Sequence, residues 1–305
     1  SNDSITLKSA FARSINSIAV RLGQEMGIKN IIRTAQEMGI KSPLDDEPSL
    51  ALGSSDVNLL ELVNAYSTVA NDGEYHVPVV VTRILDKDGN EVYVAPKDHE
   101  RALPYKTAFL MQEMLKAGVN EGGGTSQALR HYTFGDTDWG GKTGTSNNHS
   151  DAWFMAVSPK LVVGAWVGGE YRSIHFRTGA LGQGSKTALP ICGEFIYSLM
   201  RDKAFQKYHA KWQLDPDEDI DPSMYNCQPT VVRRATPDSL RDLTTGHRRH
   251  QEEEEGPIDG HENTDEGGFI LEPAPQPTPE QQGNSSNNES PQIIKKAKKP
   301  RSEDF

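Results

Sequence analysis

A run of small, polar and cationic residues near the middle of the chain has the composition of a ligand-binding strand. Gly140–Asn147 contains three glycines, one lysine and three small hydroxyl residues. Glycine packs poorly in a strand, and it often marks a place where another backbone or a ligand comes close. Lys142 adds a positive charge, and the hydroxyls of Thr143 and Thr145 point to the same side of an extended chain. The run predicts an open strand edge for a peptide-like ligand that ends in a carboxylate, or a Gly-rich surface hairpin with a solvated lysine.

A second polar stretch is the triplet Ser14-Ile15-Asn16, which interrupts an apolar pattern of helical period. Its hydroxyl and amide can accept and donate hydrogen bonds at once, which a proton relay or a substrate contact requires. Serine and asparagine are also the residues that most often cap helices, so capping is the alternative for Ser14 and for Asn16.

Helical spacing of apolar residues predicts the helices that must position these two polar stretches. The predicted helices cover residues 4–27 with a break around Ser14, and then 29–38, 57–71, 105–119 and 189–200. Thr6 and Thr125 are predicted helix caps, and Gly27 is a predicted helix end.

Alternating and β-branched runs predict the strands. Val77–Ile84 and Glu91–Val94 flank Asp88-Gly89, a hairpin signal. The Gly140 run, Ala152–Val157 and Leu161–Val167 predict an antiparallel meander, against which the helix at 189–200 packs. Helices before, between and after such a meander favour an α+β fold, with an antiparallel β-sheet packed against helices.

Composition excludes some functions. The 305 residues carry a formal net charge of −11, which argues against nucleic acid as the main partner. No apolar run is long enough for a signal peptide or a membrane span. Cys192 and Cys227 have no metal-ligand spacing, and a disulfide between them stays open.

The sequence divides at about residue 212. Residues 1–212 carry the periodic patterns, whereas 213–305 lack apolar periodicity and contain four consecutive glutamates at 252–255. We therefore predict that 213–305 is a low-complexity, mostly disordered tail. Its basic end at 295–299 is either a contact for anionic surfaces or a solvated charge run.

The two triplets and their flanks resemble one family. Lys142-Thr143-Gly144 and Ser14-Ile15-Asn16 match two of the three motifs that penicillin-binding proteins and class A β-lactamases use together. Ser14–Leu22, Ala51–Gly73 and Gly140–Phe154 resemble the transpeptidase domain of bifunctional class A penicillin-binding proteins. The resemblance runs from about residue 4 to about residue 200, and it implies a β-lactamase/transpeptidase-like fold that is incomplete at the N-terminus.

The resemblance also implies roles for the matching residues. Ser14 would relay a proton, Lys142 would supply a fixed positive field, and Asn16 would bind a substrate carbonyl. Thr143 and Thr145 would bind the terminal carboxylate, and the Thr145 backbone N–H would form half of an oxyanion hole. The expected catalytic residues are Ser14, Asn16, Lys142 and Thr145, and the expected substrate-binding residues are Thr143, Gly144, Thr145 and Asn16.

The third motif of the family, Ser-x-x-Lys, is absent, because no lysine of the 305 residues has a serine three positions before it. In the family this motif supplies the acylated serine. We therefore expect the chain to be a processed or excised C-terminal part, inactive alone. The nucleophile, a glycosyltransferase domain and a membrane anchor would lie on a missing N-terminal portion.

The implied activity is that of a peptidoglycan D,D-transpeptidase, which cross-links stem peptides ending in D-Ala-D-Ala through an acyl-serine intermediate and binds β-lactams. The resemblance implies no metal or organic cofactor, a location on the periplasmic face of the inner membrane, and other cell-wall synthesis proteins as partners. A D,D-carboxypeptidase or β-lactamase-like hydrolase is one alternative. A non-catalytic envelope module that binds cell-wall peptides or partner proteins is the other.

Overall fold

The computed structural model describes residues 5–215 and 218–227. The chain begins with three helices: α1 (Leu7–Ala12), α2 (Asn16–Met26) and α3 (Ile28–Glu37). Thr6 caps α1 as predicted, because its hydroxyl accepts a hydrogen bond from the Ser9 N–H at 3.2 Å. Gly27 ends α2 with a φ of 84°, a conformation that glycine adopts without steric cost. The predicted break therefore lies between α1 and α2, at Ser14.

A longer helix and four short strands follow: α4 (Leu59–Ala70), β1 (Glu74–His76), β2 (Arg83–Leu85), β3 (Glu91–Val94) and β4 (His99–Arg101). β1 pairs with β4 and β2 pairs with β3, both antiparallel. The hairpin at Asp88-Gly89 is confirmed, but the strand prediction was wrong for residues 77–82, which belong to no strand. Pro78 has no N–H to donate to a neighbouring strand, and Val80 is 93% exposed. Apolar composition alone was therefore not sufficient to predict a strand there.

The central sheet is built from three consecutive strands: β5 (Gly140–Thr145), β6 (Asp151–Ser158) and β7 (Leu161–Gly168). They pair antiparallel in the order β5-β6-β7, with Lys142 opposite Met155 and Thr145 opposite Ala152. The predicted meander is confirmed, and β5 is an edge strand of this sheet.

Helix α5 (Tyr105–Asn120) packs on β5 because glycines line the contact. A Cβ on Gly140 would lie 2.7 Å from the Leu115 Cβ, and a Cβ on Gly118 would lie 2.5 Å from the Gly141 carbonyl oxygen. The glycine content predicts that another backbone or a ligand comes close to this strand. In the structure, the backbone of α5 does so.

Helix α6 (Gly179–Gly182) and helix α7 (Ala188–Arg201) complete the regular elements of this region. α7 packs on β6 and β7, as predicted, and buries Leu189, Cys192 and Ile196 against Phe154. Burial raises the pKa of the Cys192 thiol to about 12, so this thiol stays protonated. Cys192 and Cys227 are free cysteines, so the structure contains no disulfide between them.

Residues after Trp212 that the structure describes lie against α1 and α5. Tyr225 meets the Phe109 ring edge-on at 5.2 Å, and the Lys8 ammonium donates to the Tyr225 carbonyl at 2.8 Å. The domain boundary at residue 212 stays a prediction. Most of the predicted tail, including the basic run at 295–299, lies outside the described residues. Among the described helices, none combines the length and the apolar character needed to span a bilayer.

Candidate active site

The two triplets meet in space. The Lys142 ammonium on β5 donates a hydrogen bond to the Ser14 hydroxyl at 2.9 Å, across 128 residues of sequence. It also donates to the Thr143 carbonyl oxygen at 2.6 Å. Two neutral oxygens thus hold the ammonium at the junction between the edge strand and the α1–α2 turn.

The environment of Lys142 disfavours its charge. Its side chain is half-buried, and among the described residues it has no carboxylate within 4 Å. Desolvation lowers the pKa of Lys142 from 10.5 to about 8. An amine with a pKa near 8 is mostly charged at neutral pH yet exchanges its proton readily, which suits both an electrostatic role and a proton relay.

The turn between α1 and α2 presents Ser14 in an uncommon conformation. Ser14 has a φ of 55°, in the left-handed region that non-glycine residues rarely adopt. Its N–H donates to the Phe11 carbonyl at 2.9 Å, and the next N–H, of Ile15, donates to the Ala10 carbonyl at 3.0 Å. These bonds hold the turn, and strain of this kind clusters at functional sites.

The capping alternative for this triplet is wrong. Ile15 occupies the cap position of α2, and no side chain there makes a capping hydrogen bond. Ser14 is engaged by Lys142 instead. Asn16 is the first residue of α2 and is exposed, and its amide has no hydrogen-bond partner within the described part of the chain. The Asn16 amide is therefore accessible to a ligand.

The two threonine hydroxyls of β5 have different partners. The Thr143 hydroxyl donates to the Thr125 hydroxyl at 2.7 Å. The Thr145 hydroxyl oxygen accepts a hydrogen bond from the Gly184 N–H at 3.0 Å, which leaves its proton to point elsewhere. Thr145 is exposed and Thr143 is half-buried, so the exposed end of β5 offers the more accessible donor.

Gly144 lies between them and contacts Trp153. A Cβ on Gly144 would lie 3.2 Å from the Trp153 Cβ, and its carbonyl oxygen lies close to Gly184. Its lack of a side chain leaves room for Trp153, and its predicted part in substrate binding stays a prediction.

Sequence reasoning missed two residues of this site. Thr125 was predicted to be a helix cap, but the 3₁₀ helix at Gln127–His131 is preceded by Ser126 with no side-chain cap, and Thr125 contacts Thr143. Gly184 was not singled out, although it donates to Thr145. The three glycines before Thr125 signal a tight loop, but no local pattern connects either residue to β5.

Neighbouring polar residues have structural partners. Asp151 accepts hydrogen bonds from the Trp166 indole at 3.0 Å and from the Ser150 hydroxyl at 2.8 Å, which ties the β5–β6 turn to β7. In the part of the chain that the structure describes, no group of three or more His, Cys, Asp or Glu side chains is arranged to hold a metal ion.

Three comparisons bear on this geometry. Residues 1–167 match the family described as penicillin binding protein transpeptidase domain. Penicillin-binding protein 2D of Bacillus subtilis is 35% identical over 170 residues, which is 55% of this chain but only 24% of that relative. The chain thus spans about a quarter of the length of the curated relatives it matches.

Solved structures are similar to the same region. Penicillin-binding protein 1A of Haemophilus influenzae has a TM-score of 0.62 at 26% identity, over 70% of this chain and 36% of that chain. The PonA1 protein of Mycobacterium tuberculosis, in complex with penicillin V, has a TM-score of 0.55 at 20% identity, over 70% of this chain and 60% of that chain. At that identity the second likeness concerns the fold alone.

Proposed function

Since this chain belongs to the penicillin-binding protein transpeptidase domain family, we propose that it forms one side of the active site of a peptidoglycan D,D-transpeptidase. The observation that carries the proposal is the 2.9 Å hydrogen bond from Lys142 to Ser14, beside an edge strand with two threonine hydroxyls. A lysine cation, a serine hydroxyl and two threonine hydroxyls are available there. Transfer of a peptide that ends in a carboxylate requires a positive charge, a proton relay and carboxylate donors, and these groups can supply them.

The proposed reaction has two steps. A serine hydroxyl attacks the carbonyl carbon of the D-Ala-D-Ala bond, its proton passes to the leaving amine, and the C–N bond breaks as an acyl ester forms. The acceptor amine of a neighbouring stem peptide then attacks the ester and gives its proton to the serine oxygen. The products are a cross-linking amide, free D-alanine and the original serine.

Ser14 and Lys142 are proposed to carry protons between these groups. The Ser14 hydroxyl accepts a hydrogen bond from the Lys142 ammonium and can donate one at the same time. It can therefore take up one proton and release another without moving its oxygen. Lys142 adds a positive field in a partly desolvated place, where a charge acts more strongly than in water.

The substrate is proposed to bind along β5. The hydroxyls of Thr143 and Thr145 would hold the terminal carboxylate on either side of Gly144, and the Thr145 N–H would donate to the developing oxyanion. Asn16 would hold a carbonyl of the stem peptide. A β-lactam would use the same contacts, and the family description, penicillin binding protein transpeptidase domain, supports this extension.

The acylated serine is proposed to come from polypeptide outside these 305 residues, because no Ser-x-x-Lys motif occurs within them. Peptidoglycan glycosyltransferase activity, a membrane anchor and a periplasmic location belong to the same proposal for the whole protein. The relatives support it by being about four times as long as the matched segment.

Product analysis tests the proposal. The purified protein from the whole reading frame is incubated with lipid-linked disaccharide pentapeptide, and its products are digested and separated. Dimeric muropeptides are expected. Trimmed monomers would instead indicate a D,D-carboxypeptidase, and a protein that gives neither product nor a covalent adduct with labelled penicillin would be a non-catalytic binding module.

A further inference from the structure

A third threonine hydroxyl adjoins the two on β5. Thr125 lies on the loop after α5, far from β5 in sequence, and its hydroxyl oxygen lies 2.7 Å from that of Thr143. Within residues 5–215 and 218–227, Thr143 is the only hydrogen-bond partner of this hydroxyl. Its own proton is therefore not committed to another protein group.

The backbone holds Thr125 in place from two directions. Its N–H donates to the Ala12 carbonyl at the end of α1 at 3.0 Å, and the N–H of Ser126 donates to the Gly118 carbonyl in α5 at 3.1 Å. The preceding residue must be glycine, since a Cβ on Gly124 would collide with the Gly118 carbonyl. Thr125 thus connects the α1 end of the Ser14 turn to β5.

The number of hydroxyl protons limits what Thr143 can do alone. A threonine hydroxyl has one proton, and Thr143 gives that proton to Thr125 in this structure. To donate to a carboxylate, Thr143 must turn its proton away from Thr125. The geometry of this structure makes Thr143 the donor of the pair. The pair keeps its hydrogen bond if the Thr125 hydroxyl then turns and donates to the Thr143 oxygen, because a hydroxyl can both donate and accept.

We propose that Thr125 is a positioning residue of the carboxylate site, whose hydroxyl reverses its hydrogen bond and thereby aims the Thr143 proton at the ligand. The inference rests on the proposed function, since it assumes that β5 binds a terminal carboxylate. A charged acceptor gains most from an oriented donor, so Thr125 contributes to the preference for an acid over the corresponding amide.

The test compares two ligands on the 305-residue chain, labelled with ¹⁵N and titrated by NMR. The ligands are N-acetyl-D-Ala-D-Ala with a free carboxylate and the same dipeptide as a C-terminal amide. The wild-type chain is expected to bind the acid at least about 10-fold more tightly than the amide. Thr125→Val removes the hydroxyl at similar volume. In this variant the ratio of acid affinity to amide affinity is expected to fall to about 3 or less, because the acid binds more weakly while the affinity for the amide is unchanged.

Thr125→Ser is the matched control, because it keeps the hydroxyl, and its acid-to-amide ratio should stay within about 2-fold of the wild-type ratio. If the valine variant loses the wild-type pattern of amide signals, Thr125→Ala replaces it in the comparison with serine. A full acid preference in the folded hydroxyl-free variant would overturn the role of Thr125 while leaving the proposed function intact. A wild-type chain without any acid preference would overturn both.

Discussion

Lys142 is a cation held by two uncharged oxygens, of Ser14 and of Thr143. Carboxylate partners stabilise most partly buried lysines, but the salt bridges of the described residues do not include this side chain. The ammonium therefore bears a desolvation cost that nearby charge does not offset, and its field remains available to an anionic ligand. A ligand carboxylate would supply the missing counter-charge.

The lowered pKa of Lys142 makes stability depend on pH in a predictable direction. Below about pH 8 the amine is protonated in both states, and the folded state bears the cost of burying the charge. Between about 8 and 10.5 the unfolded chain binds a proton that the folded chain has released, so the free energy of unfolding rises with pH. Urea unfolding across this window should show a steeper rise in the wild-type chain than in Lys142→Met. Equal slopes in the two chains would contradict the assignment.

Removing the cation should also slow acylation. In the protein that carries the nucleophile, Lys142→Ala is expected to reduce the rate of labelled-penicillin acylation by about 100-fold, in line with the loss of one preorganised electrostatic contact. The exposed Lys160 in the β6–β7 turn offers a matched control, and its alanine variant should acylate at the wild-type rate. Unchanged acylation in Lys142→Ala, with the fold intact, would remove Lys142 from the mechanism.

At the scale of elements, the contact between α5 and β5 decides where the site residues lie. β5 carries Lys142 and the two threonines, and α5 supports it from behind through contacts at Leu115 and Gly118. The loop after α5 then brings Thr125 to Thr143. A helix farther from this strand would separate these groups. The glycines of β5 therefore matter to the site because they let α5 pack closely against the strand.

An alanine at the strand glycine tests this contact. The Gly140→Ala methyl group would lie 2.7 Å from the Leu115 Cβ and 2.9 Å from the Leu115 carbonyl carbon, so α5 must shift. Overpacking of this kind costs about 1–3 kcal/mol of unfolding free energy. Gly122→Ala is the control, because a Cβ there meets nothing within 4 Å and the backbone needs no positive φ. Chemical denaturation that shows the two variants to be equally stable would disprove the packing argument.

At the scale of the whole molecule, the chain holds only some of the groups that the proposed reaction needs. Ser14 lies against Lys142 of β5, whereas no serine stands three residues before a lysine anywhere in the sequence. The relatives are about four times as long as the matched segment. This is why the acylated serine is proposed, and not observed, to come from polypeptide outside these 305 residues.

Incubation of the 305-residue chain with fluorescent penicillin should give no covalent adduct that survives denaturing gel electrophoresis, because acylation needs an activated serine. The positive control is the protein from the whole reading frame, which should be labelled under the same conditions. A stable adduct on the short chain would mean that another nucleophile replaces the missing motif.

Local patterns were sufficient for most of the regular structure. Helical periodicity, Thr6 and Gly27 located the first helices, and the apolar runs at 152–157 and 161–167 located β6 and β7. The prediction failed at residues 77–82, where valines are exposed and pair with no strand. Composition shows which residues favour a strand, but a strand forms only where a neighbouring strand pairs with its backbone.

The sequence by itself determined the chemical groups of the site, since Ser14, Asn16, Lys142 and Thr143 stand in two short triplets and Thr145 follows the second. Their residue types suit proton transfer and carboxylate binding. Only the tertiary structure decided that Lys142 reaches Ser14, that Thr125 joins Thr143, and that Gly184 donates to Thr145. These contacts join residues 128, 18 and 39 positions apart. The first two arise because α5 packs on both β5 and α1, and the third joins β5 to the segment before α7. A local pattern carries no information about which distant group such packing brings within hydrogen-bond distance.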